Sequence, residues 1–311
     1  MEADGVHKRY GDLVAVHDLT FSVEPGEILG VLGPNGAGKT TAIRVLTTLL
    51  APTRGRFAVA GIPHTRPVQI RRWIGVLPES AGYPERQTAE EFIRYHARLH
   101  GHARASAEAV AVRLLAEVGL HDRRRSLITA YSRGMRQRLG IARALVNEPR
   151  VVFLDEPTLG LDPAGQRQVL ALVRRIAGDR GATVLLSTHL LTEVEEICSR
   201  VLILNRGRVA AAGTVSEVAR RAAAARSVRV RVAPERVDEA LEALSRVREM
   251  VGVARADGPP GSLKATLADR AGDGLSNYGL RLLVEAGIPV LSFELEGARL
   301  SDAFLAMTES A

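Results

Sequence analysis

Gly33-Pro34-Asn35-Gly36-Ala37-Gly38-Lys39-Thr40-Thr41 is the stretch on which the fold turns. A run that reads as a buried strand, residues 27–32, precedes it, and a helix is expected after it over about 40–50. Both contexts are required of a phosphate-binding loop, the alternative being a chance glycine-rich turn. Its glycines let backbone N–H groups converge on phosphate oxygens without side-chain obstruction, and the helix N-terminus adds a favourable field. Lys39 supplies a compact cation for β- and γ-phosphates, and the Thr40 hydroxyl is a ligand for Mg²⁺. Of 42 basic residues only Lys8, Lys39 and Lys264 are lysines. A planar guanidinium does not replace an ammonium as a point charge between phosphates, so a lysine at this position is informative. The motif implies a nucleoside triphosphate with Mg²⁺.

Further along, Val151-Val152-Phe153-Leu154-Asp155-Glu156-Pro157 reads as a buried strand with two acids at its C-terminal end, where open α/β sheets place their ligands. Asp155 suits a Mg²⁺ shell, directly or through water. Glu156 is the natural general base for a water attacking the γ-phosphate. Taken alone, the pair is equally a solvated strand end; the lysine loop upstream favours chemistry.

Strand-like and helix-like periods alternate around these motifs, the pattern of an α/β protein. Short strands are expected at residues 56–60 and 73–77, and denser ones at 184–186 and 201–204. Residues 88–120 turn helical, with Phe92, Tyr95 and Leu99 at helical spacing, and a second helix follows Ser132 and stops before Pro149. Helices at 164–177 and 192–198 border the later strands, and Asn205-Arg206-Gly207 is a turn. This pattern fades near Ala219 into an Ala/Arg-rich run at 220–226. Beyond it the order β-α-β-β-α-β, with a closing helix at 300–307, predicts a small α+β module of the split βαβ, ferredoxin-like kind. The expected division is residues 1–219, with a helical subdomain at about 88–148, a linker at 220–227, and an accessory domain at 228–311.

Composition narrows the function classes. Aromatics are 4% of the chain, against a surface that stacks bases. The net charge of +7 suits a phosphate-rich partner, but the arginines are scattered rather than striped and accompany abundant alanine, so no nucleic-acid partner is expected. No stretch approaches the ~18 apolar residues of a membrane span, the charged first ten residues lack a secretory core, and Cys198 is a lone cysteine. The expectation is a cytoplasmic protein, peripheral at the inner face of a membrane and not in it.

Taken in order with Tyr10, Ser132, Asp162 and His189, these elements resemble the nucleotide-binding domain of ATP-binding cassette (ABC) transporters, over roughly residues 6–219. The resemblance implies a P-loop NTPase of ABC type. Tyr10, in Arg9-Tyr10-Gly11, matches the aromatic that stacks on adenine. Tyr131-Ser132-Arg133-Gly134-Met135 corresponds to the signature segment, usually Leu-Ser-Gly-Gly-Gln: Ser132 and Gly134 are kept, whereas Arg133 and Met135 depart. Read physically, Ser132 is also a helix N-cap. The resemblance implies that this helix N-terminus meets the γ-phosphate held by a second protomer, so that the active form is a dimer. Leu159-Gly160-Leu161-Asp162-Pro163 looks like the D-loop, and His189 in Ser187-Thr188-His189 like the switch histidine. Glu79 stands where the family has its coupling glutamine; a carboxylate there still reaches the Mg²⁺ shell but donates no amide N–H.

The departures and the C-terminal module resemble the daunorubicin/doxorubicin-resistance-type exporter branch, whose ATPases work with a separate membrane permease. The groove around Glu79 and residues 88–120 is then expected to receive a helix of that permease. A soluble ABC ATPase acting on ribosomes or DNA is the alternative, and a nucleotide-gated module that hardly hydrolyses is a third, opposed by the retained Glu156 and His189.

Overall fold

The computed structural model describes residues 1–80, 82–222, 227–248, 250–267, 275–296, 300–301 and 304. The chain divides into two compact units, Met1–Val215 and Ser216–Ala311.

In the first unit, β1 (Glu2–Tyr10) and β2 (Leu13–Ser22) pair antiparallel, and β3 (Ile28–Leu32) runs into α1 (Lys39–Leu46). There follow β4 (Arg54–Val59), β5 (Ile62–Pro63), α2 (Pro67–Arg71) and β6 (Ile74–Leu77), then the helices α3 (Ala89–Leu99), α4 (Arg104–Glu117) and α5 (Arg133–Ala144). The chain returns through β7 (Val151–Asp155), α6 (Pro163–Arg180), β8 (Thr183–Thr188), α7 (Leu191–Ile197), β9 (Arg200–Asn205) and β10 (Arg208–Thr214). The strands form one sheet in the order β5-β4-β1-β2-β10-β9-β3-β8-β7-β6. The end carrying β9, β3, β8, β7 and β6 is parallel, so those strands deliver their C-terminal ends to one edge. Hydrophobic strands covered on both faces are what parallel sheets require, and every residue of β3, β7 and β8 is buried.

The period of two along each strand divides the core. Val151, Phe153 and Leu185 pack with Ala42, Ile43, Val45 and Leu46 of α1 on one face. Val152, Leu154, Val184 and Leu186 pack with α3–α6 on the other. Local signals set the helix ends. Thr88 and Glu91 form a reciprocal capping box at α3, with Thr88 N donating to Glu91 Oε2 at 2.8 Å. Asp162 caps α6 by accepting from Gly165 N at 3.0 Å, with Pro163 in the first turn.

Several expectations shift. The helical region is two helices, α3 and α4. The buried face of α3 is Ala89, Phe92, Ile93 and Ala97, whereas Tyr95 and Leu99 point to solvent at 54% and 64% exposure. Phe92 belongs to the buried face, but it shares that face with Ala89, Ile93 and Ala97 and not with the residues three and seven positions further on. The first helix ends at Leu46, earlier than expected. The N-terminal strands β1 and β2 are additions: register shifts between Ala3, Val6, Lys8 and Arg9 break the alternation that would have announced β1.

The first unit ends at Val215, the first residue of α8 (Val215–Ala222), and the second takes in the rest of that helix. The change of composition at residue 220 lies within α8. After β11 (Ser227–Val232) come α9 (Val237–Ser245), β12 (Met250–Arg255), β13 (Ser262–Leu267), α10 (Leu275–Glu285) and β14 (Val290–Glu296). Their sheet is antiparallel in the order β12-β13-β11-β14, a split βαβ arrangement. Val228, Val230 and Val232 alternate inward from β11 against Ala240, Leu244 and Leu263. Residues 223–226 of the expected linker and most of the expected closing helix lie outside the described residues.

Candidate active site

The carboxyl end of β3 turns sharply at Gly33, where a Cβ would meet the Leu204 carbonyl oxygen at 2.4 Å. Pro34, Asn35, Gly36, Ala37, Gly38, Lys39, Thr40 and Thr41 then line a cleft of about 770 Å³. Gly38 is the N-cap of α1, at φ 99° and with no side-chain cap, so the first N–H groups of α1 are free of capping side chains, as an anion site requires. The Lys39 ammonium is buried (7% exposed) and donates to the Gly33 carbonyl oxygen at 2.7 Å. It also lies 3.4 Å from Glu156 Oε1.

Glu156 follows β7 and is equally buried. Its other oxygen, Oε2, is 2.8 Å from Nδ1 of His189, which follows β8. One carboxylate thus bridges an ammonium and an imidazole. Glu156 holds a left-handed backbone, φ 49°, a conformation costing a non-glycine residue about 1–2 kcal/mol. Ser187 supports it: Glu156 N donates to Ser187 Oγ at 3.0 Å and to the Ser187 carbonyl oxygen at 3.2 Å. Ser187 Oγ in turn donates to Asp155 Oδ1 at 2.5 Å. Asp155 is 3% exposed, behind Glu156 rather than on the cleft wall.

Tyr10 and Glu79 also line the cleft. Tyr10 is 41% exposed, and its ring lies 5.3 Å from the Lys8 ammonium. The remaining candidates stand elsewhere. Ser132 caps α5, accepting from Met135 N at 3.3 Å, and Arg133, Gly134 and Met135 form its first turn. The Arg133 guanidinium lies against Gly160, where a Cβ would come within 2.5 Å of it. The segments 131–135 and 159–163 therefore touch each other, and neither Asp162 nor Ser132 to Met135 lines the cleft.

Residues 16–159 match the family model described as ABC transporter. The daunorubicin resistance ATP-binding protein DrrA3 of Streptomyces coeruleorubidus is 39% identical over 311 residues, 98% of this chain and 94% of that protein. The chain belongs to the ABC transporter family. It is an ATP-binding subunit of that family and an ATPase. The Nod factor export ATP-binding protein I of Paraburkholderia xenovorans is 38% identical, covering 70% of this chain and 71% of that protein. The fold is shared with a solved dimeric ATP-binding cassette in a post-hydrolysis state bound to ADP and Pi, with TM-score 0.63 and 24% identity over 68% of this chain and 97% of that one.

The structure of this ABC ATPase adds residues to the cleft and its surroundings that sequence reasoning gave no role. Ser187 binds the Asp155 carboxylate and the Glu156 backbone N–H, a consequence of β7 and β8 lying side by side with Asp155 opposite Ser187. Val14 and Ala15 of β2, together with Arg206 and Gly207 of the β9–β10 turn, form another wall of the cleft. The turn was legible in the sequence; its approach to the phosphate loop, with Gly207 N donating to the Ala37 carbonyl oxygen at 2.9 Å, was not.

Proposed function

We propose that this ABC ATPase powers an exporter: two copies hydrolyse Mg·ATP at a shared interface and pass the motion to a separate membrane permease. The observation that carries the reading is the Glu156 carboxylate, set between Lys39 and His189 on the cleft that the phosphate loop lines. Backbone amides of 34–39 and the Lys39 ammonium grip the β- and γ-phosphates, and Tyr10 covers the adenine. Water attacks the γ-phosphorus while Glu156 takes its proton; the bond from the γ-phosphorus to the bridging oxygen breaks, and ADP and phosphate leave. His189 orients Glu156 and the γ-phosphate relative to each other. The oxygen donors Thr40 and Glu79 on the cleft, with Asp155 behind them, are the sparse, hard set that suits Mg²⁺. Bound there, Mg²⁺ neutralises charge on the phosphate oxygens.

The second copy supplies Ser132, Arg133, Gly134 and Met135, which do not line the cleft of their own chain, and Asp162 orders the adjoining loop. The solved cassette dimer of the same fold supports this pairing. Export is supported by relatives named for drug resistance and Nod factor export, and the cargo is a drug, a lipid or another small molecule. No helix among the described residues is long and apolar enough to cross a membrane, in keeping with a permease on a separate chain and an ATPase seated peripherally on the cytoplasmic face. Arg86, Arg94, Arg98 and Arg104 surround a depression beside the exposed Tyr95, and charge complementarity fits it to an acidic cytosolic segment of that permease.

Glu156→Gln tests the reading. The variant retains Mg·ATP binding, accumulates as a dimer, and loses phosphate release by about 10²-fold or more. Wild-type turnover in the variant removes Glu156 as the base. Co-purification with a membrane protein of about six spans is expected; ribosomes or DNA in its place would support the soluble alternative.

A further inference from the structure

His189 is 40% exposed, and the bond to Glu156 is its one side-chain partner among the described residues. Its ring is therefore aimed chiefly by the backbone that carries it. That backbone is bridged across His189 by a buried relay. Thr188 Oγ1 accepts from Leu190 N at 3.0 Å and donates to Glu193 Oε2 at 2.7 Å. Thr188 is fully buried and Glu193 is 3% exposed. The N-cap of α7 is Leu190, which has no capping side chain, and Thr188 accepts the N–H of that N-cap residue from the end of the preceding strand. Glu193 keeps its other oxygen, Oε1, buried with no hydrogen-bond partner among the described residues. Burying a carboxyl for a single hydrogen bond is costly, and an apolar residue would fill the same space. Its return is geometric: the relay ties the end of β8 to the first turn of α7 across the histidine.

We propose that Glu193 is a positioning residue for ATP hydrolysis: through Thr188 it fixes the His189 backbone so that Nδ1 meets Glu156. The proposal rests on the role given to His189 above. Neither Glu193 nor Thr188 lines the nucleotide cleft, so breaking the relay changes turnover and not nucleotide affinity.

Steady-state ATP hydrolysis by the full chain decides the matter. Thr188→Val keeps the shape and removes both hydrogen bonds; Glu193→Leu removes the acceptor. Each is expected to lower kcat about 10-fold or more, since misplacement by about 1 Å costs up to 10²-fold, with KM for ATP shifted less than about 3-fold. Thr188→Ser and Glu193→Gln, which preserve the hydroxyl and an acceptor oxygen, restore kcat to within about 3-fold. In a His189→Ala background, Thr188→Val produces no further loss. Should Glu193→Leu fail to fold, the Thr188 pair carries the test alone. Unchanged kcat in Thr188→Val, or an equal further loss in the His189→Ala background, overturns the proposal. Full turnover in His189→Ala itself instead overturns the role of His189, and the proposal with it.

Discussion

Nδ1 of His189 lies 2.8 Å from Oε2 of Glu156. The two residues are 33 positions apart and meet because β7 and β8 are neighbours in parallel register, with Leu154 opposite Leu186 and Asp155 opposite Ser187. Each strand then projects one functional side chain just past its last rung. Both side chains therefore hang from the ends of neighbouring central strands, a placement that suits preorganised catalysis.

Lys39→Ala removes the ammonium that faces Glu156 and the Gly33 carbonyl. Loss of a charge-assisted hydrogen bond, roughly 1.5–3 kcal/mol, is expected to weaken ATP binding about 10- to 100-fold. Lys39→Arg does not restore it, because the guanidinium is wider and its donors are fixed in a plane. Titration with a fluorescent ATP analogue measures both; near-wild-type affinity in Lys39→Ala would refute the assignment of the cleft.

Ser187→Ala deletes a fully buried hydroxyl that donates to Asp155 and accepts from Glu156 N. The expected destabilisation is about 1–3 kcal/mol, read as a lower urea midpoint at unchanged slope. Turnover falls as well, since Glu156 loses one of the two bonds that its amide makes in the left-handed conformation. A midpoint equal to wild type would show that this bond does not hold the acid pair.

Two glycines of the phosphate loop are expected to respond differently to alanine. At Gly36, φ 80°, a Cβ meets nothing within 4 Å, so the cost is the left-handed conformation alone, about 1–2 kcal/mol. At Gly38, φ 99°, a Cβ would sit 2.4 Å from the Ala15 carbonyl oxygen, a backbone atom that yields only if β2 moves. Gly38→Ala abolishes ATP binding while Gly36→Ala weakens it; equal affinities in the two variants would contradict the close approach of β2 to the loop.

Burial, then the charge of Arg143 and then that of His100, hold His96 down to about 4 from its ordinary 6.5. Between those values the unfolded chain binds the proton and the folded chain does not, so stability rises with pH. The contribution is complete above about pH 6.5 and is lost as pH falls toward 4. His96→Gln is expected to flatten the melting temperature against pH across that window. It also gives up the edge contact with Phe92, 4.6 Å between ring centres. An unchanged slope would dismiss His96 as the titrating group.

Parts of the fold were legible for a simple reason. The phosphate loop and the Asp155–Glu156 pair are contiguous motifs at the ends of strands whose residues are all apolar before them, so local pattern and function coincide. β1 was not legible, because its bulges and charged residues disguise a strand with one buried side. Tyr95 and Leu99 misled because helical spacing specifies a stripe without saying which stripe meets a neighbour. Ser187 and Glu193 carried no local signal at all; their importance lies in what the folded chain brings next to them.

The order of residues alone settled that a phosphate loop opens a helix, that two acids end a buried strand, and that a histidine follows another. These are properties of neighbours along the chain, governed by local propensity and hydrophobic period. Only the tertiary structure decided that Glu156 stands between Lys39 and His189, that Ser187 supports both acids, and that Arg133 touches Gly160. Those relations depend on which strands lie side by side and in what register, and register is set by packing both faces of the sheet at once.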